Sequence, residues 1–118
     1  MLVDDEAALL EITRATLETF NYRVLTAENG AEALVVYQSE AGKISAIITD
    51  MMMPVMDGDA LVRELRKIQP EVKVICIAGL EATAESTGIA QLNPNGFLTK
   101  PYSTEKLLNT LREVLATR

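Results

Sequence analysis

Short apolar runs alternate along the chain with longer segments in which apolar residues recur about every 3.6 positions. The runs are rich in β-branched residues and end at turn or polar residues, as strands do. They therefore predict five strands. These strands cover residues 1–3, 22–27, 44–49, 72–78 and 96–99.

Three of the intervening segments have helical length and spacing, at about 6–20, 30–39 and 58–68. Pro70 stops the third, because proline cannot continue a helix. We expect the apolar positions of each segment to pack on the sheet. These positions are Ala8, Leu9, Ile12, Leu17 and Phe20 in the first, Ala33, Leu34 and Tyr37 in the second, and Leu61, Leu65 and Ile68 in the third.

The last two segments differ in how strongly their sequences predict a helix. The final helix is predicted to open at Ser103, an N-cap residue, and Lys106 stands where a full capping box would have Glu. Its apolar side chains are Leu107, Leu108, Leu111 and Leu115. The segment 80–96 is weaker, because its threonines and Gly88 lower helix propensity and Pro94 ends it. We expect a short or mobile helix there.

Strict alternation of strand and helix predicts parallel strands joined by right-handed crossovers. Strands that are apolar on both faces, such as the run at 45–49, need helices on both sides of the sheet. The fold class is therefore α/β: a doubly wound, five-stranded parallel sheet. Ligands bind such sheets beyond the carboxyl ends of the strands, where the strand order reverses.

Length and charge narrow the class of protein further. A chain of 118 residues, 48% of them hydrophobic, suits one domain over 1–118. The formal net charge of -6 disfavours direct binding to nucleic acid or an anionic membrane surface. No apolar run approaches the roughly 20 residues of a membrane span and no leader pattern opens the chain, so we expect a cytoplasmic protein.

Two residue types limit the chemistry. Histidine is absent, which removes histidine bases, Ser-His-Asp and Cys-His systems and histidine-containing zinc sites. The single cysteine, Cys76, lies in an apolar run and is expected to be a core residue. Any chemistry must rely on carboxylates, lysine, hydroxyls and backbone groups.

Chemically related residues follow the predicted strands. Asp4 and Asp5 follow the first, Asp50 the third, and Lys100 the fifth, so three carboxylates and a lysine are expected at one edge of the sheet. Carboxylates this close repel one another unless a cation lies among them, and an all-oxygen site suits Mg²⁺. The lysine supplies a positive charge for an anion, with phosphate favoured.

Each feature alone also has a structural interpretation. Asp4 and Asp5 suit an N-cap and a helix dipole, and Asp57-Gly58 suits a turn before a helix. Lys100 before a proline suits a solvated charge at the sheet edge. Their occurrence together at successive strand ends is what favours a functional site.

At this point the sequence resembles a family, the receiver domains of two-component response regulators, which also occur as modules of hybrid histidine kinases. The resemblance covers essentially the whole chain. It rests on "LVDDE" at 2–6, on "ITDMMMPVMDG" at 48–58 with Pro and Gly four and eight residues after Asp50, and on "FLTKPY" at 97–102. It implies a flavodoxin-like fold with strand order 2-1-3-4-5.

The resemblance also implies residue roles. Asp50 would accept the phosphoryl group and Lys100 would pair with its oxygens. Gly79 would contact that group through its backbone, and Phe97 stands at the aromatic switch position. Mg²⁺ would be held by Asp4, Asp5, Asp50 and the backbone carbonyl of Met52.

The sequence departs from the family pattern in two ways, which affect the switch and the lifetime of the phosphoryl group. Ala78 stands where members carry Ser or Thr, so we expect phosphorylation but weakened coupling to Phe97, unless another residue such as Thr99 substitutes. Met52 and Leu80 follow Asp50 and Ala78 by two residues. Neither side chain can orient a water by hydrogen bonding, so we expect slow self-dephosphorylation.

The resemblance implies a histidine kinase or histidine phosphotransfer domain as partner, with an output domain or homodimer contact through the segment at 80–96, the fifth strand and the last helix. The chain itself would be no enzyme beyond its own phosphorylation and dephosphorylation. The alternatives are a pseudo-receiver that only binds proteins, favoured by Ala78, and a phosphohydrolase, disfavoured because Met52 is not an acid. Few residues precede Asp4, which favours a fragment of a longer chain, such as a hybrid kinase with a truncated first strand, over a stand-alone receiver.

Overall fold

In the part of the chain that the structure describes, strands and helices alternate up to the fourth strand, and the last helix follows the fifth, as the hydrophobic pattern predicts. The computed structural model describes residues 1–53, 56–79 and 92–116. Its strands are β1 (Leu2–Val3), β2 (Thr26–Ala27), β3 (Ile47–Asp50), β4 (Val74–Ala78) and β5 (Gly96–Thr99). Its helices are α1 (Ala7–Thr19), α2 (Gly30–Glu40), α3 (Gly58–Ile68) and α4 (Thr104–Ala116), with a short 3₁₀ turn at Ala41–Lys43.

The strands form one parallel sheet with the order β2-β1-β3-β4-β5. This confirms the predicted flavodoxin-like fold. The chain runs from β1 outward to β2 and then crosses back to β3 on the other side of β1. The order therefore reverses between β1 and β3, and their carboxyl ends border the crevice where such folds bind ligands.

The core lies on both faces of the sheet because successive strand residues point to opposite sides. On β4, Val74 and Cys76 join the core beneath α2 and α3, whereas Ile75 joins the core beneath α1 and α4. Cys76 is fully buried, and burial raises the pKa of its thiol to about 12. The prediction that Cys76 is a core residue is confirmed.

Side chains cap three of the helices. Asn29 Oδ1 accepts the Glu32 N–H at 2.8 Å, and Asp57 Oδ1 accepts the Ala60 N–H at 2.9 Å. Ser103 Oγ accepts the Lys106 N–H at 3.0 Å, so the last helix opens where its N-cap predicts. Among the described residues, no helix has the length and apolar character needed to cross a membrane.

Several predicted details are wrong. β2 is shorter than 22–27, and β3 extends through Asp50, which is the last residue of the strand and does not follow it. In α1 the buried residues are Leu10, Thr13 and Leu17, while Ala8, Ile12 and Phe20 are exposed. Ile68 is also exposed, and α4 buries Val114 while Leu115 is only half-buried. The expected helix within 80–96 lies largely outside the described residues.

Candidate functional site

Asp50 is placed by the central strand of the sheet. It pairs in register with Ile77 of β4, and the Met51 N–H that follows donates to the Ile77 carbonyl at 2.9 Å. The Asp50 side chain is buried, and its Oδ1 accepts the Met52 N–H at 3.0 Å. One carboxylate oxygen is thus fixed by the loop and the other, Oδ2, remains for other contacts.

The loop after Asp50 folds back onto the strand end. The Gly58 N–H donates to the Met51 carbonyl at 3.3 Å, and a Cβ at Gly58 would lie 2.7 Å from the Asp50 carbonyl oxygen. Met51 and Met53 are buried, whereas Met52 is 75% exposed. The outer two methionines therefore anchor the loop in the core, and Met52 projects from it.

Asp4 and Asp5 follow β1, which neighbours β3. The Asp4 N–H donates to the Ala27 carbonyl at 3.2 Å, and Asp4 Oδ1 accepts the Glu6 N–H at 2.9 Å. Burial raises the pKa of Asp4 against the lowering effects of that hydrogen bond and of Lys100. Asp5 is exposed, yet an oxygen from each of Asp4, Asp5 and Asp50 lies within 4.8 Å of the others.

Lys100 joins these carboxylates from the end of β5. Its N–H donates to the Ala78 carbonyl at 2.8 Å, and its Nζ lies 3.1 Å from Asp50 Oδ2 and 3.5 Å from Asp4 Oδ2. Burial lowers the pKa of Lys100, but the hydrogen bond to Asp50 and the surrounding negative charges outweigh that effect and raise it. The ammonium therefore stays charged at neutral pH. The peptide bond from Lys100 to Pro101 is cis.

The remaining predicted residues lie at the ends of β4 and on β5. Ala78 is buried and offers no hydroxyl, while Gly79 is exposed and a Cβ there would meet nothing within 4 Å. Phe97 is half-buried and packs against the same core cluster as Ala78. Residues 80–91 lie outside the described part of the chain, so the expected weakening of the coupling between Ala78 and Phe97 is untested.

Sequence reasoning missed two contributors to this region. Glu6 Oε1 lies 3.7 Å from Lys100 Nζ, which makes Glu6 a third carboxylate around that lysine. Burial raises the pKa of the Tyr102 phenol against the lowering effect of the nearby Thr13 of α1. Glu6 directly follows the acidic pair in the sequence, and that adjacency was the available signal.

The donor set fits a hard divalent cation. Three carboxylates converge with Lys100 as the one positive side chain that the described residues bring within 4 Å of Asp4 or Asp50. Two of these carboxylates are buried, where uncompensated negative charge is costly. Oxygen ligands in a partly open site are those that Mg²⁺ prefers.

Comparison with known proteins identifies relatives of this chain. A sequence model of the response regulator receiver domain matches residues 1–112. The sensor kinase CckA of Brucella abortus is 36% identical over 115 residues, which are 98% of this chain and 12% of that protein. The probable transcriptional regulator ycf27 of Porphyra purpurea is 33% identical over 115 residues, again 98% of this chain and 46% of that protein. The chain therefore spans less than half the length of either relative.

A solved structure has the same fold. The chemotaxis response regulator CheY4 of Vibrio cholerae superposes with a TM-score of 0.85 at 31% identity, covering 96% of this chain and 94% of that one. The sequence match and the strand order therefore point to the same family. The chain belongs to the response regulator receiver domain family of two-component signalling.

Proposed function

We propose that this domain, spanning residues 1–118, accepts a phosphoryl group on Asp50 in a Mg²⁺-dependent reaction. The observation that carries the proposal is the environment of the Asp50 carboxylate. It is buried, Met52 holds its Oδ1, and its Oδ2 lies 3.1 Å from the Lys100 ammonium. A carboxylate so fixed, with a cation beside its second oxygen, is oriented to react with an anionic electrophile.

In the proposed reaction, Asp50 Oδ2 attacks the phosphorus of a phosphohistidine. The new P–O bond forms as the P–N bond breaks, and the electron pair of that bond stays on the imidazole nitrogen. Lys100 then pairs with the phosphoryl oxygens in place of the Asp50 carboxylate. Because the Lys100 ammonium already lies beside Oδ2, it needs little rearrangement to do so.

The metal belongs to the same proposal. Asp4, Asp5 and Asp50 would hold it through carboxylate oxygens and Met52 through its backbone carbonyl. Bound Mg²⁺ offsets the negative charge of the carboxylates and of the phosphoryl group. The Met52 side chain projects from the loop, so metal binding through the Met52 carbonyl would not depend on that side chain.

The donor must lie outside these residues, because the chain contains no histidine. We assign it to a histidine kinase or a histidine phosphotransfer domain in the cytoplasm, and small acyl or amido phosphates would substitute for it in vitro. The proposed output is a contact of an output domain or a second copy with the segment at 80–96, β5 and α4. A parent hybrid histidine kinase is compatible with the likeness to CckA.

A pseudo-receiver is the second candidate, and one observation favours it. Ala78 is buried at the end of β4 with no hydroxyl to bond a phosphoryl group, so the coupling of the site to Phe97 would be weakened. In that case the fold would serve as a protein-binding module. The buried Asp50 with its Lys100 partner favours the acceptor instead.

Intact-mass analysis after incubation with acetyl phosphate separates the two candidates. The acceptor predicts a phosphoryl adduct that needs Mg²⁺ and is lost in Asp50→Asn. Asp57→Asn is the matched control, since Asp57 is an exposed N-cap whose amide variant keeps the acceptor for Ala60. No adduct on the folded wild type would favour the pseudo-receiver, and an adduct retained in Asp50→Asn would place the acceptor elsewhere.

A further inference from the structure

Glu6 is the exposed member of the carboxylates around Lys100. Its Oε1 lies 3.7 Å from Lys100 Nζ, and its side chain is 66% exposed, against 5% and 6% for Asp4 and Asp50. An ion pair this exposed contributes little to stability. Its main physical effect is therefore the negative charge that it adds at the opening of the site.

Hydrogen bonds fix the backbone of Glu6, and this restricts where its carboxylate can lie. Its N–H donates to Asp4 Oδ1 at 2.9 Å, and its carbonyl accepts the first α1 hydrogen bond, from the Leu10 N–H at 2.9 Å. Glu6 occupies the N-cap position, yet its side chain makes no capping hydrogen bond. The carboxylate extends toward Lys100 instead of the helix end.

An open groove has both Glu6 and Lys100 on its wall, and the Lys100 ammonium lies 3.1 Å from Asp50 Oδ2. The residues that line it are Glu6, Leu9, Gly79, Lys100, Pro101 and Tyr102. A donor that approaches Lys100 along this groove passes the Glu6 carboxylate. Lys100 is the positive and Glu6 the negative side chain of this wall. The rate of phosphorylation should therefore depend on the charge of the incoming donor.

We infer that Glu6 is a specificity-determining residue that disfavours small phosphodonors in proportion to their negative charge. This inference rests on the proposed function, phosphorylation of Asp50. Acetyl phosphate is a dianion near neutral pH, and phosphoramidate carries less net negative charge. In both reactions the P–O bond to Asp50 forms, while the P–O bond to acetate or the P–N bond to ammonia breaks and the leaving group keeps the electron pair.

The test is the ratio of the two phosphorylation rates, acetyl phosphate over phosphoramidate, measured by intact mass at low and high salt. Glu6→Gln should raise the ratio about threefold at low ionic strength, because the two donors differ by about one unit of charge and a unit charge about 6 Å away in water changes a rate by about that factor. The gain should shrink toward one in about 0.5 M salt. Glu6→Asp keeps the charge and should retain the wild-type ratio.

Glu71→Gln is the matched control, because it removes one charge from an exposed position just before β4, at the opposite edge of the sheet. Its ratio should equal that of the wild type. If Glu6→Gln leaves the ratio unchanged, or slows both donors equally, the inference fails while Asp50 stands as acceptor. If the wild type forms no adduct with either donor, the proposed function fails and the inference falls with it.

Discussion

Replacing Gly58 by alanine tests how closely the loop after Asp50 is packed. A Cβ at position 58 would lie 2.5 Å from Met51 Sδ and 2.7 Å from both Asp50 O and Met51 Cα. The methionine sulfur can move, but the two backbone atoms are held by the sheet, since Asp50 ends β3 and the Met51 N–H bonds the Ile77 carbonyl. The loop or the start of α3 must therefore shift away from Asp50.

The expected cost follows from two opposing effects. Overpacking of this kind destabilises a fold by about 1–3 kcal/mol. The helix preference of alanine over glycine returns up to about 1 kcal/mol, and less than that in the first turn. We expect Gly58→Ala to lower the free energy of unfolding by about 1.5 kcal/mol, which for a domain of this size lowers Tm by about 5–8 °C.

Gly42→Ala is the control for this experiment, because a Cβ there meets nothing within 4 Å. It should be neutral or slightly stabilising, since alanine restricts the unfolded chain. Thermal and urea unfolding of both variants provide the measurement. Equal stabilities of Gly58→Ala and Gly42→Ala would refute the reasoning from close approach.

Three further predictions concern the site itself. Burial raises the pKa of Asp4, so the fold favours its protonated form: this contribution to stability is present below about pH 4 and lost as pH rises through the folded pKa. Asp4→Asn keeps an acceptor for the Glu6 N–H and should therefore raise Tm near pH 7 in EDTA. Near pH 4 the variant should lose this advantage over the wild type, and thermal melts that give the opposite order would contradict the prediction. Met52→Asn should shorten the phosphoryl half-life on Asp50, measured by intact mass, because an amide can orient the attacking water; an unchanged half-life would count against it. Ala78→Thr should enlarge the NMR shift changes of Phe97 on binding a phosphate mimic; shift changes that are equally large in the wild type would contradict this.

The sequence predicts the elements best where a local signal marks their ends. α3 spans 58–68 as predicted, because Asp57 caps it and Pro70 follows it closely. β2 was predicted too long, since the apolar run at 22–27 does not reveal that only two residues pair with β1. In α1, adjacent apolar residues allow more than one helical face, and only packing against the sheet decides that Leu10 is buried and Ile12 exposed.

For the candidate site, the sequence predicts which residues meet but not how they share contacts. Asp4, Asp50 and Lys100 come together because the parallel strands that carry them end at one edge. The loop conformation decides these contacts: the Met52 N–H bonds Asp50 Oδ1, and Oδ2 is left to Lys100. Glu6 was missed because its contact with Lys100 bridges the start of α1 and the end of β5.

In the proposed function, accepting a phosphoryl group and responding to it would depend on different strands of this sheet. The carboxylates lie at the ends of β1 and β3, and their geometry with Lys100 does not involve the side chain at the end of β4. In the proposed function, the missing hydroxyl of Ala78 would therefore leave the acceptor intact and weaken only the response to phosphorylation. The mass measurement on Asp50 and the NMR measurement on Phe97 consequently answer separate questions, and a positive result in the first does not require one in the second.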